Sequence, residues 1–468
     1  MPHTRTETDS LGPVEVPAHA LYGGQTTRAL ANFPISGLRP SPYLIRALAL
    51  IKGAAAEANR DLGTVSPDRA NAIIIASSEV ASGHHNDQFV VDVFQAGAGV
   101  SLHMNTNEVI ANRANQLLSE SGREHAALGK YQPVHPNDHV NFGQSTNDVF
   151  PTALRVSILL ALEDLYPVLT SLENAFAQKA AEFREILKAG RTHMQDAVPI
   201  TLGQEFAAYA TALHRVQQHL HRTSAELCEL GLGGSAVGTG LNTHPLYRSR
   251  AVANLERLSG LHVYPTEDLR FTMQSCAAIA NTSAALRTLA LELIRISNDL
   301  RLLSSGPATG FNEIHLPSLQ PGSSIMPGKV NPVLPELTAM VAFQVIGNDT
   351  ATALAAQAGQ LELNVMMPTM AHNTLQSIHI LTTTLRQLDL HCIQGITANR
   401  DRCQHFAQTT IALATALNPL IGYARAASLV KDSLATGRPI TDLAREQNLL
   451  TPEQLATLLD PAHMTEPH

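Results

Sequence analysis

The sequence lacks tryptophan altogether, and aromatic residues make up only 4% of its 468 residues. Apolar residues nevertheless reach 44%, so a large core must be built from leucine, isoleucine, valine and alanine. This composition favours helices packed on helices over a sandwich of aromatic-rich strands. The length allows roughly three domains or one elongated helical unit.

Cysteine is scarce, and the four residues Cys228, Cys276, Cys392 and Cys403 lie far apart. Their spacing excludes a disulfide framework and a typical zinc pattern. The net charge of −8 gives no basic surface for nucleic acid or an anionic membrane. No apolar signal core and no run of about 18 apolar residues appear. We therefore expect a cytoplasmic protein with neither a nucleic-acid nor a membrane partner.

Apolar residues step by three and four through several long segments. Four segments show this spacing: 158–176, 206–220, 279–300 and 378–392. A fifth helix, rich in small residues, is predicted from Leu334 to Ala358. The spacing is typical of long, nearly parallel helices in a bundle.

The long helices also suggest how the chain is organised. We predict an N-terminal domain at 1–138, a central helical bundle at 139–396 and a small C-terminal helical domain at 397–468. Helices of this length leave apolar stripes uncovered on a single chain, so we expect several copies to associate.

The most informative stretch is the loop 321–336, where prolines and glycines interrupt the helical pattern. It concentrates the hydroxyls of Ser323 and Ser324, the cation of Lys329 and the amide of Asn331. A mobile loop with these groups suits chemistry on a small carboxylate, whereas the alternative is an ordinary surface loop.

Three further polar clusters lie at breaks in the helical pattern. They are 97–108 with Ser101 and His103, 135–148 with Ser145, Thr146 and Asn147, and 190–196 with Thr192 and His193. Amides and hydroxyls before a helix form an anion site, although the same residues can simply cap the helix. Together the clusters predict a pocket for a small polyanion, with no metal set, no nucleotide motif and no cofactor.

The stretch Gly322–Pro332, Gly-Ser-Ser-Ile-Met-Pro-Gly-Lys-Val-Asn-Pro, resembles the signature of the fumarase/aspartase superfamily. Other stretches resemble it in order along nearly the whole chain: 11–17, 21–26, 104–113, 144–148, 190–199, 238–243 and 361–365. The resemblance implies a mainly all-α, three-domain fold whose central five-helix bundle forms a homotetramer. It also implies a small dicarboxylate substrate and active sites shared among three subunits.

The resemblance further implies reversible elimination from a four-carbon dicarboxylate to give fumarate. The intermediate is an aci-carboxylate with additional negative charge, which fixed donors must stabilise. By match of position, Ser323 is the general base, beside Ser324 in the same loop. Lys329 and Asn331 bind the carboxylate where the charge develops.

The remaining roles follow from the same resemblance. Ser145, Thr146 and Asn147 hold the substrate from a helix N-terminus. Thr192 and His193 contact the other carboxylate or the leaving group, and Glu336 orients His193 across a subunit boundary.

Two residues depart from the superfamily pattern. Val100 stands where the family usually has a substrate-contacting threonine, and His103 stands where it usually has asparagine. Valine cannot donate a hydrogen bond from its side chain, so Ser101 and His103 are the candidate replacements. The departure also allows an altered substrate or the loss of lyase activity.

The leaving group is ammonia or water, and the sequence resembles both branches. Stretches 91–99, 145–147, 195–199 and 358–361 resemble aspartases, whereas Gly328 and stretches 370–373 and 417–423 resemble fumarases. Function depends on the site, so we favour elimination of ammonia from L-aspartate. The alternatives are hydration of fumarate to L-malate and a lyase acting on a modified four-carbon dicarboxylate. The branches that split argininosuccinate or adenylosuccinate, and non-catalytic structural members, match less well.

Overall fold

The computed structural model describes residues 3–122 and 127–465, most of them helical, which confirms the mainly all-α fold. The α-helices are α1 (Gly24–Asn32), α2 (Pro42–Asp61), α3 (Pro67–Ala81), α4 (Val100–Glu120), α5 (Thr146–Glu182), α6 (Leu202–Ala225), α7 (Tyr247–Ser259), α8 (Leu269–Gln274), α9 (Ala277–Leu303), α10 (Val333–Gln357), α11 (Met367–His391), α12 (Arg400–Thr409), α13 (Asn418–Ile421), α14 (Tyr423–Thr436), α15 (Ile440–Glu446) and α16 (Pro452–Leu458). None of the helices in the described ranges combines the length and apolar content that a bilayer span requires.

Short strand pairs punctuate the helices. The antiparallel pairs are β1 (Thr4–Asp9) with β2 (Gly12–Pro17), β3 (Leu187–Thr192) with β4 (Gln195–Thr201), and β7 (Ile314–His315) with β8 (Thr397–Ala398). The pair of β5 (Glu229–Leu230) and β6 (Tyr264–Pro265) is parallel. A single π-helical turn, Pro136–Val140, precedes α5 in the part of the chain described.

All five long helices predicted from the sequence are present, as α5, α6, α9, α10 and α11. The apolar residues that set the predicted spacing are buried, as Leu165, Leu213, Leu289 and Leu385 illustrate with exposures of 0–1%. The three-and-four spacing therefore identified the buried sides of these helices correctly.

Contacts divide the described chain into two compact units. The first comprises the residues up to Tyr166 together with 218–288 and 343–381, and the second comprises 167–217, 289–342 and the residues from Thr382 onward. Because each unit takes three separate segments, α5, α6, α9, α10 and α11 contribute to both. The division into three domains at 138 and 396 stays a prediction.

In the first unit, the start of α4 is held against α5 by a close approach. Gly99 precedes α4 with a φ of 90°, in the left-handed region that glycine tolerates best. A Cβ atom at Gly99 would lie 2.3 Å from the ring of Phe150 on α5. Only glycine fits there, and the contact fixes where the first turn of α4 begins.

In the second unit, β3 and β4 form a hairpin that packs on α12. Its two-residue loop is His193–Met194, and both residues have positive φ angles, 54° and 62°. Two positive φ angles are the requirement of a type I′ turn, which matches the twist of the flanking strands. The C-terminal helices pack around a separate apolar cluster that includes Leu417, Leu429 and Leu443.

Candidate active site

The N-terminus of α5 is built around a buried carboxylate, Asp148. Its Oδ1 accepts from the backbone N–H of Ser145 at 2.8 Å, and its Oδ2 accepts from those of Gly233 at 3.0 Å and Ser235 at 3.1 Å. Burial raises the pKa of Asp148 to about 6, against the three amides and Lys52, which lower it. The carboxylate therefore ties two separate chain segments together at this helix start.

Three predicted substrate-binding residues surround that carboxylate. Ser145, Thr146 and Asn147 are all half-buried, and the Nδ2 of Asn147 donates to the carbonyl of Ala236 at 2.9 Å. The Oγ of Ser145 accepts from the N–H of Asn147 at 3.2 Å. This is a partly accessible helix N-terminus with hydroxyls, which suits an anion.

His103 lies beneath this helix start and is fully buried. Its Nδ1 is 2.7 Å from the Oγ1 of Thr146, and its Nε2 is 2.7 Å from the Nζ of Lys52 on α2. Lys52 is fully buried as well, and it donates to the side-chain oxygens of Asn141 and Gln144, both at 2.9 Å. Sequence reasoning placed His103 in the site but missed Lys52, Asn141 and the specific contact of Gln144.

Burial is the largest influence on the pKa values of Lys52 and His103. Loss of solvation lowers the pKa of the Lys52 amine well below its usual value, although the Asp148 carboxylate opposes the shift. Loss of solvation also lowers the pKa of His103, and the nearby Lys52 lowers it further. The imidazole is therefore neutral at ordinary pH.

Val100 and Ser101 open the first turn of α4 beside a cavity of about 510 Å³. Val100 is 39% exposed and lines the cavity, whereas Ser101 is mostly buried at its wall. Arg28 on α1 also lines it and is held by Asp9 through two hydrogen bonds of 2.7 and 3.0 Å. The residue that departs from the family pattern thus faces open space next to polar groups.

The loop 321–336 of the second unit carries Ser323 in a specific local geometry. The Oγ of Ser323 accepts from the N–H groups of Ile325 at 3.3 Å and Met326 at 2.9 Å. The side-chain amide of Asn331 donates to the carbonyl of Gly322 at 2.8 Å. These contacts close the loop on itself and direct two backbone donors at the serine oxygen.

Lys329 and Ser324 of the same loop are exposed. Lys329 and Asn331 line a cavity of about 640 Å³ together with Arg301 and Ser305. The two cations on one cavity wall favour an anionic ligand there.

The hairpin of β3 and β4 presents two further candidates at its tip. Thr192 and His193 are both exposed, and His193 occupies the left-handed region that a non-glycine residue seldom adopts. Glu336 is half-buried in the first turn of α10. Among the described residues of this one chain, no hydrogen bond or ion pair joins Glu336 to His193.

A buried ion cluster fixes the base of that hairpin. Glu313 is fully buried, with one oxygen 2.9 Å from Arg191 and the other 3.0 Å from Lys188. Lys188 also pairs with Glu205 at 2.7 Å, and Arg191 stacks on the ring of Phe311. Sequence reasoning missed this cluster, because Glu313 lies more than 100 residues along the chain from Lys188, Arg191 and Glu205.

Comparison with protein families gives the deciding observation. A family model described as "Lyase" matches residues 12–347, which is more than half of the chain. A second, described as "Fumarase C C-terminus", matches residues 413–466. The chain belongs to the fumarase/aspartase superfamily. The resemblance read from the loop 321–336 is thereby confirmed.

Full-length relatives of this superfamily member are known. An aspartate ammonia-lyase of Pseudomonas aeruginosa is 49% identical over 467 residues, covering 99% of this chain and 97% of the relative. An aspartate ammonia-lyase of Bacillus subtilis is 45% identical over 463 residues, covering 99% and 96%. Among solved structures, a class II fumarase of Schistosoma mansoni is 37% identical with a TM-score of 0.95, and each chain is covered completely.

The candidate residues of this superfamily member fall into two groups. The first unit holds Ser101, His103, Ser145, Thr146 and Asn147. The second unit holds Thr192, His193, Ser323, Ser324, Lys329, Asn331 and Glu336. Direct contact is present between His103 and Thr146, whereas the roles of all these residues remain predictions.

Proposed function

We propose that the protein is an aspartase, which eliminates ammonia from L-aspartate reversibly to give fumarate. The main support is the sequence identity of 45–49% to aspartate ammonia-lyases along 99% of this chain. At that identity over full length, a carbon–nitrogen lyase is the activity that the family supports best.

Ser323 is the proposed general base for the C–H proton next to a carboxylate. With the serine present as its alkoxide, the proton moves from carbon to the Oγ, and the C–H electron pair passes into the carboxylate to give an aci-carboxylate. That pair then forms the C=C bond of fumarate as the C–N bond breaks and ammonia leaves. A serine alkoxide needs stabilisation, and the two N–H groups of Ile325 and Met326 directed at the Oγ support that role. Lys329 and Asn331 are the proposed partners of the developing charge.

We propose that Ser145, Thr146 and Asn147 bind the substrate at the N-terminus of α5. Thr192 and His193 are the proposed contacts for the other carboxylate or the amine, with Glu336 of a neighbouring subunit orienting His193. His193 is exposed at the tip of the hairpin, and its backbone has the left-handed conformation. Both features support a contact with a neighbouring subunit.

A homotetramer with shared active sites is part of the proposal. The long helix α10 exposes large apolar side chains, namely Leu337, Met340, Phe343 and Leu354, each with 42–60% exposure. Such a stripe needs a partner surface, and a second copy of the same helix supplies one of matching chemistry. We place the protein in the cytoplasm, which the four free cysteines support.

The activity is tested by following the ultraviolet absorbance of fumarate in the presence of purified protein. We expect loss of absorbance with ammonium present and none in water alone. Loss in water alone would instead support the second candidate, a fumarase, which the match to the fumarase C-terminal model favours. No change under either condition would refute both activities.

Shared sites are tested by mixing two variants that we expect to be inactive, Ser323→Ala and Thr146→Val, through joint refolding or co-expression. If the two residues come from different chains, random assembly restores about a quarter of the wild-type sites. The matched control mixes Ser323→Ala with Lys329→Met, which lie on the same loop and cannot complement. If the mixture of Ser323→Ala and Thr146→Val stays as inactive as this control mixture, the shared-site proposal is contradicted.

A further inference from the structure

Lys52 is surrounded by three hydrogen-bond acceptors. Its Nζ lies 2.9 Å from the Oδ1 of Asn141, 2.9 Å from the Oε1 of Gln144 and 2.7 Å from the Nε2 of His103. An ammonium group has three N–H donors and no acceptor, so this surrounding fits its charged form. In that form each donor has one partner, as a buried charge requires.

The charged form of Lys52 determines the tautomer of His103. Because the Nε2 accepts from the ammonium, the ring proton of the neutral imidazole lies on the Nδ1. That nitrogen is 2.7 Å from the Oγ1 of Thr146 and donates to it. The hydroxyl of Thr146 is thus an acceptor toward His103, and its own hydrogen must point in another direction.

The other direction is toward the open side of the helix start, since Thr146 is half-buried and His103 lies beneath it. We propose that His103 is a positioning residue, which holds the hydroxyl of Thr146 as a hydrogen-bond donor to a substrate carboxylate while Lys52 is charged. The inference rests on the proposed function for the identity of the anion as a dicarboxylate. It assigns His103 a role through Thr146, whereas the sequence suggested direct contact with substrate.

The donor and acceptor roles in these hydrogen bonds reverse when Lys52 is neutral. If Lys52 loses its proton, the amine accepts from the Nε2–H of His103, and the Nδ1 then accepts from the hydroxyl of Thr146. The lone pairs of Thr146 would face the carboxylate, and the donor would be lost. Affinity for a dicarboxylate therefore falls as the pH rises through the pKa of Lys52.

Burial and a nearby carboxylate act in opposite directions on the pKa of Lys52. Burial lowers the pKa of the amine, and the carboxylate of Asp148 on α5 partly restores it. The phenol of Tyr247 on α7, itself buried, feels the charge of Asp148 and stays protonated. His103 on α4 is the remaining titratable partner, and its burial keeps the ring neutral.

Histidine is essential for a reversible contact. The two ring nitrogens exchange donor and acceptor roles when the proton moves, whereas the oxygen and nitrogen of an asparagine amide exchange places only when the whole amide group rotates by half a turn. An asparagine at this position would need such a rotation to reverse its contacts with Lys52 and Thr146.

The test measures binding of succinate, the saturated analogue of fumarate, from neutral to alkaline pH by calorimetry and by inhibition. The wild type is compared with His103→Leu, His103→Asn and the exposed-histidine control His262→Leu. We expect His103→Leu to weaken binding about tenfold at neutral pH, the effect of one lost hydrogen bond to a charged group. We expect His103→Asn to bind at neutral pH nearly as the wild type does and to lose the alkaline weakening, while His262→Leu matches the wild type throughout.

A double-mutant comparison separates positioning from a general structural effect. If His103 acts through Thr146, His103→Leu has little further effect on succinate binding in a Thr146→Val background. Additive losses, or identical alkaline profiles of the wild type and His103→Asn, would overturn the proposal. Because calorimetry with succinate needs no turnover, an absence of activity with fumarate and ammonium would refute the proposed function and leave this test intact.

Discussion

The substitution Val100→Thr restores the residue that the superfamily usually has at the cavity next to Ser101. The variant should be about as stable as the wild type, because the two side chains have the same shape and Val100 is 39% exposed. Position 100 is also the first residue of α4, where a threonine hydroxyl meets no preceding helical turn. We expect the free energy of unfolding to change by less than about 0.5 kcal/mol.

Substrate binding, in contrast, should improve. The cavity of about 510 Å³ leaves room for a ligand against the side chain, and an added hydroxyl gives it a new donor. A hydrogen bond to a carboxylate contributes about 1.5 kcal/mol or more, so KM for L-aspartate should fall by about tenfold or more. Initial rates of fumarate formation, followed by its ultraviolet absorbance, provide the assay.

The matched control is Val100→Ala, which creates more space and adds no donor. If the hydroxyl matters, Val100→Thr lowers KM and Val100→Ala does not. An unchanged KM in Val100→Thr would refute the reasoning that position 100 faces the substrate. Equal effects of both variants would show that volume, and not hydrogen bonding, governs this position.

Three further predictions concern the second unit and the N-terminal region. Ser323→Ala should lower kcat by at least about a hundredfold with little effect on KM in the absorbance assay, and full activity would refute the assigned base. Glu313→Gln removes the carboxylate that pairs with Arg191 and leaves Lys188 paired with Glu205 alone, so it should cost about 3–5 kcal/mol, seen as a shorter thermal half-life than for the exposed control Glu453→Gln. Burial raises the pKa of Glu108 from 4.5 to about 7, so its contribution to stability is present below pH 4.5 and is lost as the pH rises through 7. The difference in melting temperature between the wild type and Glu108→Gln should therefore shift against the wild type over that range, and a constant difference would contradict the assignment.

The long helices were predictable because their signal is local. Each apolar stripe repeats over several turns, so segments such as 279–300 and 206–220 identify α9 and α6 without knowledge of any partner. The same local logic placed the polar stretch 144–148 just before a long helix, and α5 begins within that stretch at Thr146.

The contacts beneath the site were not predictable in this way. Lys52 meets His103, Asn141 and Gln144 across 51–92 residues of sequence. A weak signal was present, because Lys52 stands among apolar and small residues on the buried side of α2. A lysine in such a place must find acceptors, but periodicity alone does not tell which distant segments supply them.

Val100 and His103, the two residues of α4 that depart from the superfamily pattern, have different surroundings. Val100 and His103 lie three residues apart, which places them on adjoining parts of one helix side. Val100 nevertheless faces a cavity, whereas His103 is enclosed between Lys52 and Thr146. We infer that the valine removes a possible donor from the cavity and that the histidine controls the direction of another donor at Thr146. We therefore expect substrate binding in this chain to depend more on the buried lysine than it would with threonine and asparagine at these two positions.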